Sequence, residues 1–217
     1  MKPCDCHEIH VPRRIVLTGG PGAGKTAVLE LIQLFFCEHV KTLPEAAGIV
    51  FGGRFPRSDR PPLRQAAQRA IYHVQRELES VADIENAAVV LCDRGTLDCA
   101  AYWLGDGDLC SAVNTTHAAE LARYYAVIHL RTPTSPQAYT RDNPLRLESI
   151  EEAAAVDERI AAEWSDHPRR FFVESTEDFL HKAARALALL RQEVPECCRH
   201  HVRRFFWDDG ASTVPGP

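Results

Sequence analysis

Between Gly19 and Thr26 the sequence reads Gly-Gly-Pro-Gly-Ala-Gly-Lys-Thr, with an apolar run at Ile15 to Leu17 before it and apolar residues at helical spacing from Ala27 to Phe36 after it. Gly19, Gly24, Lys25 and Thr26 fit the pattern G-x-x-x-x-G-K-[ST], in the strand-to-helix context that this phosphate-binding loop demands. Its chemistry is anion capture. The backbone running through Gly19, Gly20, Pro21, Gly22, Ala23, Gly24, Lys25, Thr26 and Ala27 is expected to turn its available N–H groups around phosphate oxygens, in dihedral angles that side chains would obstruct. The following helix adds the positive end of its dipole. Lys25 is expected on the β- and γ-phosphates and the Thr26 hydroxyl on Mg²⁺, with ATP or GTP as the nucleotide.

A phosphate loop specifies a nucleotide and not a reaction. The apolar stretch Ala87 to Cys92 ends in Asp93, a carboxylate placed to support the Mg²⁺ shell. Nucleotide-driven motors commonly follow that aspartate with a glutamate that activates water, whereas here Arg94 follows. An arginine beside the metal can clamp a transferring phosphoryl group or an anionic acceptor, which suits a kinase better than a hydrolase. The guanine-recognition sequence Asn-Lys-x-Asp is absent, which disfavours a switch GTPase of the common type.

These groups must be carried by regular elements, and the chain alternates strand-like with helix-like pieces. Val40 to Leu43 is a short strand closed by Pro44, and residues 46–62 hold three glycines, three prolines and three arginines, a loop-rich segment with room for a short helix. Ala67, Ala70, Ile71, Val74, Leu78 and Val81 make one face of a long helix from Leu63. After the strand at 87–93, Leu97 to Leu104 and Ala118 to Tyr125 read as helices. Ala126 to Leu130 reads as a strand, Ile150 to Trp164 as a helix, Arg170 to Ser175 as a strand and Thr176 to Leu190 as a helix. The order βαβαβαβαβα predicts an α/β fold, a P-loop NTPase with a parallel sheet flanked by helices on both faces.

Composition narrows the classes. The 217 residues are 45% hydrophobic and 25% charged, enough to bury a full core. A formal net charge of -5 gives no basic footprint for extended nucleic acid. No run approaches the ~18 apolar residues of a membrane span and the N-terminus lacks a secretory signal, so a cytoplasmic protein is expected. Residues 1–12 read as an N-terminal extension, 13–194 as the P-loop domain and 195–217 as a tail without periodicity. Of eight cysteines, Cys37, Cys92 and Cys99 sit in apolar segments as ordinary buried thiols. Cys4, Cys6 and His7 at one end, with Cys197, Cys198, His200 and His201 at the other, have the chemistry of a zinc site. Neither cluster is Cys-x-x-Cys, and flexible termini are the favoured reading.

The segments "VLTGGPGAGKT", "LPEAA" and "LCDRGTLDCAAYW", with His167, Pro168, Asp178 and Phe179 further on, resemble the NadR/TRPL-translocation-defect group of P-loop domains over roughly residues 13–192. The resemblance implies a nucleoside- or nucleotide-kinase-like fold. The group's best known activity is phosphorylation of nicotinamide riboside, and other members are similar to nucleotide-binding regulators. It implies for Glu45 the role of a carboxylate that accepts the proton of an acceptor hydroxyl or orients it, with a helix-start role as the alternative. Asp98 carries the same ambiguity, with acceptor binding implied by the resemblance. Arg141 and Arg146 fall where kinase-like folds place a lid, here about 131–147, that excludes water from the phosphates. Arg54 and Arg57 suit an anionic acceptor, or equally a plain surface loop. Phe51, Phe55, Tyr102 and Trp103 are candidates to stack on a base, or core residues. Together these readings predict a protein that binds a Mg²⁺-nucleoside triphosphate and a small-molecule acceptor. The expected reaction is transfer of the γ-phosphoryl to a nucleoside-like hydroxyl. The alternatives are a slowly hydrolysing NTPase or a non-catalytic nucleotide-dependent binding module.

Overall fold

The uninterrupted apolar runs around Ile15, Val90 and Val127 are strands covered on both faces, the pattern that parallel sheets impose. The structure is a computed structural model that describes residues 3–85, 87–133, 149–175 and 178–199. The chain runs β1 (Arg13–Thr18), α1 (Lys25–Phe35), β2 (Val40–Leu43), α2 (Ala46–Gly52), α3 (Pro61–Ile84), β3 (Val89–Asp93), α4 (Asp98–Ala101), α5 (Leu109–Ala112), α6 (His117–Leu121) and β4 (Ala126–Leu130). It continues through α7 (Ile150–Glu163), β5 (Arg170–Val173), α8 (Phe179–Glu193) and α9 (Glu196–Arg199). Its five strands form one parallel sheet in the order β2-β3-β1-β4-β5. The register sets Leu17 beside Asp93 on one flank and Ile128 on the other.

Alternation along β1 sorts the two layers. Ile15 and Leu17 join Val28, Leu29 and Ile32 of α1 and Ala183, Ala186, Leu187 and Leu190 of α8 in one core. Val16 joins Val90 and Val127 in the other, with Ala82 of α3, Ala101 of α4, Val156 and Ile160 of α7, and Trp164. Truncating one fully buried side chain such as Leu17 or Ile160 to alanine costs about 2–5 kcal/mol, so both layers are needed to hold the sheet. A smaller cluster of Ala46, Ile71, Tyr72, Cys99 and Leu109 fixes α2 and α5 against α3.

Local chemistry sets several element ends. Pro61 and Pro62 open α3 after an extended Arg60, as the steric demand of proline on its predecessor requires. Ser149 and Glu152 form a reciprocal capping box at α7. Asp178 caps α8 through the Leu180 N–H at 2.8 Å, so that helix begins at Phe179 instead of Thr176. The sequence expectation misplaces one turn of the α3 face, since Val81 is exposed and Ala82 is buried in its stead. The helix expected at 97–104 is only α4, and the one at 118–125 only α6, beyond which Tyr124 is buried in the second core. The tail after Pro195 is not aperiodic at its start, where α9 buries Cys198 in the main core.

Candidate functional site

All five strands point their C-terminal ends the same way, and the strand order reverses across β1, with β3 on one side and β4 on the other. The crevice above such a reversal is where open α/β sheets place ligands. The Gly19–Thr26 loop occupies it. Gly19 has φ 136° and a Cβ there would meet the Leu130 carbonyl oxygen at 2.1 Å, so no other residue fits. Gly24, at φ 89°, is the N-cap of α1 and lies under the Phe179 ring, 2.7 Å from where a Cβ would stand.

Lys25 opens α1 with its Nζ donating to the carbonyls of Gly19 at 2.8 Å and Gly20 at 3.0 Å. Burial brings its ammonium down to about 8, assisted by the charge of Arg94 and opposed by Asp93, Glu45 and Asp98. A buried cation hydrogen-bonded, among the described residues, to carbonyls alone fits a side chain kept for a ligand's charge. Thr26, next along α1, is exposed and lines the cavity. Asp93 ends β3 and is buried, with no hydrogen-bond partner for Oδ1 among the described residues. Burial raises its carboxyl to about 6, against the pull of Lys25. An orphaned carboxylate oxygen and an exposed threonine hydroxyl lining the same cavity fit Mg²⁺ and its waters, which would give both groups partners. Thr26 and Asp93 are therefore the residues that can hold the metal.

Arg94 follows in the left-handed region at φ 71°, and its N–H still donates to the Leu17 carbonyl at 3.1 Å. Its guanidinium spans three groups, with Nε donating to Glu45 Oε1 at 2.7 Å and an Nη to the Gly19 carbonyl at 3.1 Å and Asp98 Oδ1 at 3.3 Å. Glu45 is the N-cap residue of α2, but its side chain makes no cap hydrogen bond. Glu45 thus stands at the helix start, as the alternative has it, but its carboxylate faces Arg94 and does not cap the helix. Burial would raise that carboxyl, but Arg94 and Lys25 outweigh it and leave it below the ordinary value.

Asp98 corrects the sequence expectation. It is 2% exposed, and each of its oxygens has two donors. Thr18 Oγ1 and Arg94 serve Oδ1, while the Gly95 N–H at 3.0 Å and Trp164 Nε1 at 3.2 Å serve Oδ2. A carboxylate filled in this way has no free position for an acceptor hydroxyl, and it positions Arg94 instead. Arg54 is also displaced from its expected role. It sits at φ 67° in an exposed turn and does not line the cavity, whereas Arg57, over the Phe51 ring at 4.4 Å, and Arg64 do. Phe51, Phe55 and Tyr102 line the cavity, but Trp103 packs in the α3 cluster. Arg141 and Arg146 lie outside the described residues, as does the expected lid beyond Pro133.

Three contributors escaped the sequence reading. Asp157 of α7 accepts from the Gly20 N–H at 2.7 Å and His129 Nε2 at 2.9 Å, and pairs with Arg131 at 3.1 Å, keying α7 to the phosphate loop. Lys182 of α8 is buried in the cavity wall and donates to the Arg131 carbonyl at 2.5 Å. Arg159, one helical step from Val156, also lines the cavity while Nε holds the Ala101 carbonyl at 2.9 Å. Behind the Arg94 turn, Thr96 donates to Glu120 at 2.7 Å and its N–H donates to the Tyr124 hydroxyl at 2.9 Å, which fixes the turn from below. The cavity itself measures about 1590 Å³ and extends from the phosphate loop past Glu45 to α3, where Gln68 and Ile71 form its far wall.

This glycine loop, lysine and strand-end aspartate on a five-stranded parallel sheet define a P-loop NTPase fold of the nucleoside- and nucleotide-kinase type. The sequence profile of the AAA domain family matches residues 14–182, and the chain belongs to that family. Among solved structures it is similar to a NadR protein in complex with NR, with a TM-score of 0.68 at 14% identity over 90% of this chain and 54% of that one. The chain thus spans about half the length of that NadR chain. It is also similar to thymidylate kinase from Ehrlichia chaffeensis, with a TM-score of 0.56 at 15% identity over 82% of this chain and 98% of that one. Thymidylate kinase from Candida albicans gives 0.55 at 15% identity over 84% and 93%. A search of the curated proteins finds no match. Among the described residues no helix is long and apolar enough to cross a membrane.

Proposed function

We propose that this protein is a small-molecule kinase that moves the γ-phosphoryl of Mg²⁺-bound ATP or GTP to a hydroxyl of a nucleoside-like acceptor. The reading rests on the shape of the cavity. A pocket for one small ligand is about 300–1,000 Å³, whereas this one is about 1590 Å³ and continues beyond the phosphate loop to Glu45, Arg57 and Gln68. A hydrolase needs only water there. Two ligands end to end would account for the volume, and in this reading the Arg94–Glu45 pair would stand between them.

Each residue then has a task. Lys25 and the loop N–H groups hold the β- and γ-phosphates, and Thr26 and Asp93 would hold a Mg²⁺ whose charge would offset that of the phosphates. Arg94 stabilises charge on the transferring group, and Glu45 orients the acceptor hydroxyl and takes its proton as the bond to phosphorus forms. Phe51, Phe55 and Tyr102 offer ring faces to a planar acceptor. Arg57 offers a cation should that acceptor carry a phosphate, and α7 and α8 close the nucleotide side through Arg159 and Lys182.

The test is a panel of nucleosides, nucleoside monophosphates and nucleoside-like vitamins, scored by ADP or GDP release and by phosphorylated product. At least one acceptor should stimulate release well above the rate with water alone, and Lys25→Ala should abolish the stimulation and weaken triphosphate binding in a folded protein. Tight nucleotide binding with slow turnover that no acceptor alters would replace this reading with that of a nucleotide-dependent binding module.

A further inference from the structure

At the opposite end of the sheet, three separated pieces of chain bring sulfur and imidazole together. Cys4 lies before β1, Cys37 and His39 lie in the turn between α1 and β2, and Cys198 belongs to α9. One ligand atom from each of the four lies within 4.8 Å of all the others. Cys37, His39 and Cys198 are buried and Cys4 is half-buried. The Cys198 sulfur stands 3.8 Å from that of Cys4 and 3.4 Å from His39 Nδ1. A tetrahedral zinc ion with Zn–S near 2.3 Å and Zn–N near 2.0–2.1 Å separates two sulfurs by about 3.8 Å and a sulfur from a nitrogen by about 3.5 Å. The observed spacings match both.

Other features of the turn also point to a built site. The Cys4 N–H donates to Glu38 at 2.9 Å, which fixes the backbone of the one ligand that is not deeply buried. The His39 carbonyl accepts from the N–H groups of Ala88 at 2.8 Å and Val89 at 3.0 Å, so its ring is carried by the sheet itself. The sequence favours flexible termini over a metal site joining both ends of the chain, and the residues it offers for such a site differ from this set. His7 is exposed and in none of the clusters, and His200 and His201 lie outside the described residues. Half of the donor set comes instead from Cys37, expected from the sequence as an ordinary buried thiol, and from His39, which no sequence signal singles out.

We propose that Cys4, Cys37, His39 and Cys198 hold a structural Zn²⁺ in a closed Cys₃His site that clasps the N-terminal segment and α9 to the N-terminal edge of the sheet. Soft thiolates with one imidazole in tetrahedral array select zinc among the common divalent ions, and four protein ligands leave no position for substrate. Three thiol protons pass to solvent as the metal binds, so three thiolates, a neutral imidazole and the ion sum to a single negative charge. Cys6, His10 and Cys197 form the adjoining layer, with His10 Nε2 at 3.4 Å from the Cys6 sulfur and 3.8 Å from that of Cys197. The Cys4 set is the site because three of its members are buried, against two of four in the alternative set of Cys6, His10, His39 and Cys198.

The experiment uses the full chain, purified reduced and without a metal-affinity tag, with zinc and iron measured by mass spectrometry and cobalt substituted for spectroscopy. About one zinc per chain and a cobalt spectrum with tetrahedral bands and thiolate charge transfer are expected for the wild type and for Cys110→Ser. Cys4→Ser, which opens no core cavity, should lower zinc affinity by at least about tenfold and weaken the charge-transfer band while nucleotide binding stays unchanged. Cys198→Ser should do the same. Wild-type protein that takes up no zinc, that carries iron, or that joins Cys4 to Cys198 in a disulfide despite available zinc overturns the proposal. So does a Cys4→Ser protein with unaltered affinity, or a loss that follows Cys6→Ser instead. Because the strands separate this cluster from the phosphate loop, failure here would leave the kinase reading standing.

Discussion

Asp93 and Asp98 are both buried, yet their surroundings give them opposite characters. Asp98 receives two donors on each oxygen, while Asp93 has one oxygen with none among the described residues, and burial raises its carboxyl from 3.8 to about 6. Between those two values the folded protein binds more protons than the unfolded chain, so stability without nucleotide falls as pH rises through the window. Asp93→Asn has no such slope. It should therefore be more stable than wild type at neutral pH by an amount on the order of 2–3 kcal/mol, read by denaturant unfolding without metal across that window. The same variant should lose the stabilisation that Mg²⁺-nucleotide gives the wild type. An Asn variant less stable than wild type at every pH would show that Asp93 has a structural partner after all. Glu45 differs again, since Arg94 and Lys25 keep it ionised. Glu45→Gln should retain Mg²⁺-nucleotide affinity and lower acceptor-dependent turnover by about 10²-fold, as measured by fluorescent-nucleotide titration and a coupled ADP assay.

Among the elements, α7 reaches the phosphate loop through a buried polar contact, Asp157 with the Gly20 N–H, while α8 lays the Phe179 ring over Gly24. Removing the Asp157 carboxylate would leave the Gly20 N–H and His129 Nε2 without their acceptor, while Arg131 would keep its pair with Glu158. Asp157→Ala should cost about 3–5 kcal/mol, or roughly 6–20 °C in Tm for a chain of this size, visible in a thermal melt. Lys182 supplies a pH signature on the neighbouring helix. Burial lowers its ammonium from 10.5 to about 8, with Asp157 and Glu174 opposing. Here the unfolded chain binds more protons between the two values, so this group's unfavourable contribution is full below pH 8 and fades as pH rises. Relative to Lys182→Met, the wild type should gain up to about 3 kcal/mol across that range, and parallel stability curves for the two would refute the buried-ammonium description. The sequence made the phosphate loop and Asp93 readable because their chemistry is carried by neighbours in sequence and by the end of an apolar run. Asp157 was not readable, being 137 positions from Gly20. Asp98 looked like an open carboxylate because the donors that fill it come from Thr18, Gly95 and Trp164 only after β1, β3 and α7 have packed.

For the molecule as a whole, the parallel sheet sets two unlike groups of side chains at its two ends, a crevice with the glycine loop and Lys25 where the strands finish and a cluster of cysteine and histidine where they begin. The alternation of elements revealed such a sheet, but the order β2-β3-β1-β4-β5 that creates the crevice depends on crossovers that no local pattern records. Trp164 connects the crevice to the interior. It is fully buried, meets Tyr124 edge-on at 5.3 Å, and gives its indole N–H to the carboxylate that steadies Arg94. The protein therefore contains its own optical gauge. With Trp103 and Trp207 replaced by phenylalanine, the emission of Trp164 should shift in wavelength when Arg94 turns from Glu45 toward a phosphate, and in stopped flow that colour change would time the arginine's movement against the chemical step.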